Sequence, residues 1–125
     1  MAIDIQKVRD NLAQRDQKRR ERLDRRFEQA TRECAAIVKM IIGRYNPAKM
    51  YQWGSLLDRS LFTEVSDIDI AVEGIAAAEL FFDLLKNAEA LTSFPLDIVQ
   101  LEKIDPLNRD SILKKGRMVY ERHTG

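Results

Sequence analysis

The stretch QWGSLLDRSLFTEVSDIDIAVEG, residues 52–74, joins a glycine-serine pair to an acidic pair within a largely apolar segment. Its last part, DIDIAVEG, predicts a β-strand that ends at Gly74. Because successive side chains of a strand point to opposite faces, Asp67 and Asp69 share one face and Ile68 takes the other. Two neighbouring carboxylates in a partly desolvated place repel each other unless a cation lies between them. A hard divalent cation such as Mg²⁺, which prefers oxygen ligands, would relieve that repulsion.

A third carboxylate interrupts a later apolar stretch, FPLDIVQL at residues 94–101, which also predicts a strand. If this strand lies beside the first, Asp97 joins the acidic pair. Three carboxylates on a rigid sheet can hold two metal ions about 3.5–4 Å apart for phosphoryl transfer. The sequence alone leaves this adjacency open. In the simpler alternative, Asp67 is a turn residue at the start of the strand and Asp69 lies on an exposed sheet face.

The glycine-serine pair follows a predicted strand, KMYQW at residues 49–53. Gly54 permits a close backbone approach. Ser55 is predicted to cap a short helix over residues 56–61, with Asp58 reaching back as in a capping box. A helix that begins after a glycine also offers free N–H groups and the positive end of its dipole to a phosphate. The structural and functional interpretations of the pair are compatible.

The remaining predicted elements surround these strands. Apolar residues recur at helical spacing over residues 23–42, and Gly43 is expected to end that helix. Another helix is predicted over residues 76–91. A third begins after Asp105-Pro106 and runs to Gly116, and RMVYER at residues 117–122 predicts a final strand. Helices interspersed with short strands indicate an α/β or α+β domain of two layers.

Residues 1–20 are expected to form a helical arm outside the core, followed by a domain over residues 21–125. Ile5, Val8 and Leu12 begin an apolar stripe that does not continue. Acidic side chains interleave with the basic ones in AQRDQKRRERLDRR, residues 13–26. This interleaving favours a solvated helix with internal ion pairs over nucleic-acid binding.

The composition fits one globular domain with 45% apolar residues, and the 21 basic and 20 acidic residues nearly cancel. No overall field therefore attracts the chain to nucleic acid or to a membrane surface. It has no apolar run of signal-peptide or membrane-helix length, so a cytoplasmic protein is expected. The single cysteine, Cys34, lies in the helical apolar series and is expected to be a small buried hydrophobe.

A family resemblance rests on these motifs. A strand, Gly54-Ser55, eleven further residues and then Asp67-Ile68-Asp69 resemble the signature of the DNA polymerase beta-like nucleotidyltransferase superfamily, in particular its minimal nucleotidyltransferase branch. The similarity spans residues 21–122 and includes PLDIVQL and ILKKGRMVYER. It implies a palm-like α/β (α+β) fold, in which helices pack on a small mixed sheet of about four strands and the N-terminal helix is long.

The resemblance also implies site residues. The catalytic and metal-binding positions are the three carboxylates Asp67, Asp69 and Asp97, which would hold two Mg²⁺ ions. The positions that would hold the triphosphate of ATP or another nucleotide are Gly54, Ser55 and Arg59. Many relatives carry an arginine two positions after the serine, where this chain has Leu57. Arg59 is therefore expected to supply the positive charge, and Lys49 is the alternative.

The expected activity is Mg²⁺-dependent transfer of a nucleoside monophosphate, AMP from ATP, to a partner protein. Members of this branch typically accompany a small helical HEPN protein, often a toxin, so the resemblance implies the antitoxin of a HEPN/MNT pair. In the alternative, the chain is a non-catalytic antitoxin that neutralises its partner by forming a complex. The N-terminal helix is a candidate surface for docking or for oligomerisation.

Overall fold

A four-stranded mixed sheet forms the centre of the computed structural model, which describes residues 2–123. Its strands are β1 (Lys49–Trp53), β2 (Ile68–Glu73), β3 (Leu96–Gln100) and β4 (Arg117–Glu121). They lie in the order β3-β2-β1-β4. Strand β1 pairs antiparallel with both β2 and β4, whereas β2 and β3 are parallel. The small mixed sheet expected from the family resemblance is confirmed.

Three helices accompany the sheet: α1 (Ile5–Tyr45), α2 (Ala78–Glu89) and α3 (Pro106–Lys115). Helix α1 has 41 residues, so it is about 60 Å long at 1.5 Å per residue. The Asp4 side chain caps its first turn by accepting a hydrogen bond from the Lys7 N–H. The Asp105 cap and Pro106 begin α3 as predicted. In the described part of the chain, no helix has the length and apolarity needed to cross a membrane.

The predicted end of α1 at Gly43 is wrong. The helix continues to Tyr45, and Asn46 ends it in the left-handed conformation with φ 48°. Asparagine tolerates that conformation because its short polar side chain can form local hydrogen bonds. A glycine inside a helix costs only about 1 kcal/mol relative to alanine, so Gly43 alone does not stop it.

The two faces of the sheet bury different sets of side chains. The face covered by α1 and α2 carries the larger core, which includes Ile37, Ile41, Met50, Ile70 and Leu84. The face covered by α3 carries a smaller cluster of Tyr51, Ala71, Leu101 and Ile112. Alternation along β2 places Ile70 in the first core and Ala71 in the second. Since Asp69 lies two residues before Ala71 on the same strand, it also faces α3.

The N-terminal part of α1 extends beyond both cores. Its buried side chains begin at Ala30, and Ile5, Val8 and Leu12 are exposed. The proposed boundary at residue 20 therefore falls within one unbroken helix. Cys34 is buried as expected, and burial raises the pKa of its thiol to about 11.

Candidate active site

Strand pairing brings the three predicted carboxylates to one end of the sheet. In the parallel pair of β2 and β3, Asp69 lies in register with Asp97. Neighbouring strands are about 4.8 Å apart, so these two carboxylates are side by side on the α3 face. Asp67 lies one residue before the start of β2. The adjacency that the sequence left open is present.

The three carboxylates differ in their exposure. Asp69 is only 8% exposed, Asp67 is partly buried and Asp97 is exposed. Burial, followed by the charges of Asp97 and Asp67, raises the pKa of Asp69 from 3.8 to about 7. Among residues 2–123, no ion pair includes any of the three acids. The site is thus a cluster of like charges that the described chain does not neutralise.

The donor set fits a hard divalent cation, although the chain does not form a complete cage. No group of three His, Cys, Asp or Glu side chains within residues 2–123 is arranged to hold a metal ion. Mg²⁺ usually keeps several waters and is bound through one or two carboxylates together with substrate phosphates. The carboxylates here can supply those one or two ligands, and a bound cation would relieve their mutual repulsion.

Gly54 packs directly against the buried carboxylate. Trp53 pairs with Asp69 across the antiparallel β1 and β2, which brings the following glycine to the acid. A Cβ atom at Gly54 would overlap the Asp69 side chain, and the backbone has φ 82°. Only glycine combines that conformation with that close approach. The pairing of β1 with β2 therefore explains why the two motifs occur together.

The segment after Gly54 differs from the prediction. It forms two short 3-10 turns, Ser55–Leu57 and Arg59–Leu61, in place of one helix. Gly54, which has no side chain to donate or accept, occupies the cap position of the first turn. Asp58 caps the second turn by accepting hydrogen bonds from the Ser60 N–H and hydroxyl. The capping-box prediction is wrong because these local bonds satisfy Asp58.

A single 3-10 turn has no appreciable macrodipole, so the helix-dipole argument for phosphate binding does not apply here. The first N–H groups of such a turn still have no acceptor within the turn itself. The backbone after Gly54 can therefore donate to a phosphate through individual hydrogen bonds.

Of the two basic residues expected near the triphosphate, Arg59 has a partner on α1 and Lys49 lies far from Gly54. Arg59 forms an ion pair with Asp24 of α1 at 2.8 Å, and its guanidinium carbon lies 5.7 Å from the centre of the Phe27 ring. Lys49 is at the opposite end of β1 from Gly54, roughly 16 Å away at the rise of a strand.

Helix α3 contributes a part of the site that the sequence analysis missed. A cavity of about 410 Å³ lies between α3 and the sheet, beside the acids. Its lining comprises Trp53, Gly54, Asp97, Val99, Ile104, Asn108, Ser111, Ile112 and Lys115. The polar residues Asn108, Ser111 and Lys115 recur at intervals of three and four, which places them on one face of α3. That spacing is the sequence signal that could have identified this face of α3. It adds one basic residue, Lys115, to the candidate site.

Trp53 belongs to the cavity wall and packs against the smaller core cluster. Its indole Nε1 is buried and has no hydrogen-bond partner among residues 2–123.

Comparison with known proteins supports the assignment of this fold. The sequence model of the family described as "Polymerase beta, Nucleotidyltransferase" matches residues 36–125, which is well over half of the chain. The chain belongs to this family. The match covers every predicted site residue and confirms the superfamily that the sequence motifs indicated. A search of curated proteins found no match.

Solved structures with the same fold come from toxin-antitoxin complexes. The toxin-antitoxin with AMP-PNP aligns with a TM-score of 0.60 at 18% identity, covering 71% of this chain and 73% of the other. The toxin-antitoxin MntA-HepT aligns with a TM-score of 0.57 at 17% identity, covering 74% and 73%. A mutant of that complex aligns with a TM-score of 0.58 at 17% identity, covering 71% and 73%. At these identities the likeness shows a shared fold.

Proposed function

We propose that this chain is a Mg²⁺-dependent nucleotidyltransferase that transfers AMP from ATP to a partner protein and acts as the antitoxin of a cytoplasmic toxin-antitoxin pair. The observation that carries the proposal is the register of Asp69 with Asp97, directly beside the glycine turn. Family membership supports the chemistry. The fold shared with toxin-antitoxin complexes, one of them with AMP-PNP, supports the donor and a toxin of the HEPN type as partner.

Different residues of the chain would take different roles in this transfer. The turn after Gly54 would bind the triphosphate through backbone N–H groups, and Asp67 and Asp69 are the residues that would hold the metal. Asp97 is the most exposed acid and lines the cavity, so it is placed to accept the proton of the attacking hydroxyl. Bound Mg²⁺ would supply charge neutralisation at the transferred phosphate and the leaving pyrophosphate.

Lys115 is the side chain that supplies further positive charge to the triphosphate in this proposal. It lines the same cavity as Gly54 and Asp97. Arg59, the choice from sequence, is held by Asp24. The ammonium group of a lysine is a mobile point charge that can follow a phosphate during the reaction.

The direct test is transfer of label from α-labelled ATP in the presence of Mg²⁺, with and without the protein encoded by the neighbouring gene. We expect label on that protein with the wild type and none with the Asp67→Ala/Asp69→Ala variant. Label that persists in the double variant would show that other groups carry the reaction.

A non-catalytic antitoxin is the second candidate. The observation that favours it is the exposed apolar series Ile5, Val8 and Leu12 on α1, which offers a docking surface without any chemistry. This function requires that the Asp67→Ala/Asp69→Ala variant still neutralises the toxin. Loss of neutralisation together with loss of label would exclude it, provided that the variant still binds the toxin.

A further inference from the structure

A groove on α1 carries a concentration of arginines outside the lining of the candidate active site. It has a volume of about 650 Å³ and lies between α1 and the loop that precedes β3. Its lining comprises Arg22, Arg25, Arg26, Glu28, Gln29, Arg32, Ser93 and Phe94. Relative to Arg22, the other three arginines lie three, four and ten residues later, which keeps all four on one side of the helix.

The described chain does not pair these charges. The ion pairs within residues 2–123 join Arg19 to Glu64, Arg59 to Asp24 and Arg109 to Glu73, and none involves a groove arginine. The pKa of Glu64 is lowered chiefly by its hydrogen bond with Arg19, and Arg22 adds only a small effect. One carboxylate, that of Glu28, lines the groove. The groove lining therefore combines four arginines with one carboxylate.

Like charges on neighbouring turns of one helix face repel each other. An anionic ligand in the groove would remove that repulsion. The guanidinium of Arg26 is already held over the Phe94 ring, 4.9 Å from its centre. A guanidinium held in this way keeps its in-plane N–H donors available for a carboxylate or a phosphate.

The groove lies close to the candidate active site. Phe94 precedes Asp97 by three residues, so their Cα atoms are at most about 11 Å apart. The carbonyl of Pro95 accepts a hydrogen bond of 2.9 Å from the Ile68 N–H, which fixes the loop to the end of β2 that carries the acids. A chain segment bound in the groove can therefore place a neighbouring residue near Asp97.

We propose that this arginine groove binds an acidic segment of the protein that the candidate site modifies. This inference rests on the proposed function and names how the acceptor is recognised. A protein segment fits better than nucleic acid because Phe94 is the aromatic residue of the groove lining, and a base that stacked in place of Arg26 would have to displace its guanidinium. Arginine forks pair with carboxylates through two parallel hydrogen bonds.

The test measures binding without chemistry. The probes are fluorescein-labelled decaglutamate and a fluorescein-labelled RNA decamer of matched charge, followed by fluorescence anisotropy at 50 and 200 mM NaCl. The groove variant is Arg25→Gln/Arg32→Gln. The matched control is Arg9→Gln/Arg15→Gln, which makes the same charge change on the exposed N-terminal part of α1. Glutamine is a good helix former, so both variants should keep α1, as circular dichroism can verify.

We expect the peptide to bind the wild type, to bind more weakly at the higher salt, and to bind the groove variant about tenfold more weakly. The control variant should change the affinity less than twofold. Absent binding at 50 mM NaCl, or an equal loss in both variants, would overturn the inference. Tighter binding of the RNA through the same two arginines would also overturn it and make the groove a nucleic-acid site.

The outcome is separable from that of the proposed function. The Asp69→Asn variant should still bind the peptide, because Asp69 lies outside the groove lining. Peptide binding without any label transfer would remove the proposed transferase and leave the groove in place. Label transfer whose acceptor KM does not change in the groove variant would remove the groove and leave the transferase.

Discussion

Asp69 shows how folding alters the chemistry of one residue. Burial and two neighbouring acids raise its pKa from 3.8 to about 7, so the metal-free folded protein keeps a proton that the unfolded chain releases. The unfolded state therefore binds fewer protons between about pH 4 and pH 7. The contribution of Asp69 to the free energy of unfolding then decreases as the pH rises through that window.

Asp69→Asn should accordingly stabilise the metal-free protein above this window. We expect a gain of about 1–3 kcal/mol at pH 8 in EDTA and little difference near pH 4. Urea unfolding at the two pH values measures it, with Asp110→Asn on the exposed surface of α3 as the control. Mg²⁺ should stabilise the wild type and have no effect on Asp69→Asn. A wild type that equals or exceeds Asp69→Asn at pH 8 in EDTA would contradict this account.

Gly54 is constrained both by its backbone and by its neighbour. We expect Gly54→Ala to lower the free energy of unfolding by about 1–3 kcal/mol, because φ is positive and the added Cβ overlaps Asp69. Label transfer should be lost with it. Gly43→Ala is the control, since a Cβ there meets no atom within 4 Å, and it should stabilise α1 by up to about 1 kcal/mol. Equal effects of the two changes in urea unfolding would remove the special role of Gly54.

Helix α3 forms one wall of the cavity and contributes the basic side chain of its lining, Lys115. Lys114 and Lys115 both lie in its last turn, where either charge favours the C-terminal end of the helix. Of the two, Lys115 lines the cavity. Because both lysines stabilise the end of the helix in the same way, comparing their substitutions separates an effect on stability from an effect on substrate binding.

Lys115→Met should raise the KM for ATP about tenfold, which corresponds to about 1.4 kcal/mol of lost phosphate binding. Lys114→Met should leave this KM within about twofold of the wild type and should change stability by the same small amount. Steady-state transfer kinetics with varied ATP distinguish the two. A KM that rises equally in both variants would assign the effect to the helix end and not to the cavity.

Helix α1 combines two regions of different character. Its buried residues begin at Ala30, whereas the turns before residue 20 are exposed. We expect deletion of residues 2–15 to change the free energy of unfolding by less than about 1 kcal/mol, because it removes no buried side chain. Ile37→Ala, in the larger core, should cost about 2–5 kcal/mol. A large loss of stability on deletion would show that the exposed turns support the core.

At the scale of the whole molecule, the sheet topology assembles the candidate site from three distant segments. Antiparallel pairing brings the glycine turn to Asp69, and parallel pairing brings Asp97 from the other side. Helix α3 then closes the cavity over them. Although the chain is nearly neutral, the three acids of the candidate site cluster at one end of the sheet and four arginines line the groove on α1.

A ligand that needs the assembled site should stabilise the entire fold. Mg²⁺ with a non-hydrolysable ATP analogue, at about 100 times its dissociation constant, should add about 2.7 kcal/mol to the free energy of unfolding. Thermal unfolding would record this as a higher midpoint, and either component alone should have a smaller effect. No shift in the midpoint at any concentration would favour the non-catalytic antitoxin.

Local sequence rules predicted the elements well and some of their ends poorly. Local patterns identified the four strands and three α-helices within residues 2–123, including the Asp105-Pro106 start of α3, but also predicted a helix over residues 56–61 that is two 3-10 turns. The helix end at Gly43 and the capping role of Asp58 were wrong, because each depends on which of several competing local hydrogen bonds forms. Asn46 ends α1, and Ser60 satisfies Asp58.

The sequence by itself determined the three carboxylates and the glycine turn of the candidate site, and the strand faces of Asp69 and Asp97, because the two-residue period of a strand is a local property. Only the tertiary structure decided that Asp69 lies beside Asp97, that Arg59 pairs with Asp24, and that Lys115 of α3 lines one cavity with Asp97. Each of these contacts joins residues far apart in the chain. Their formation depends on the packing of the whole sheet and its helices, which no local pattern specifies.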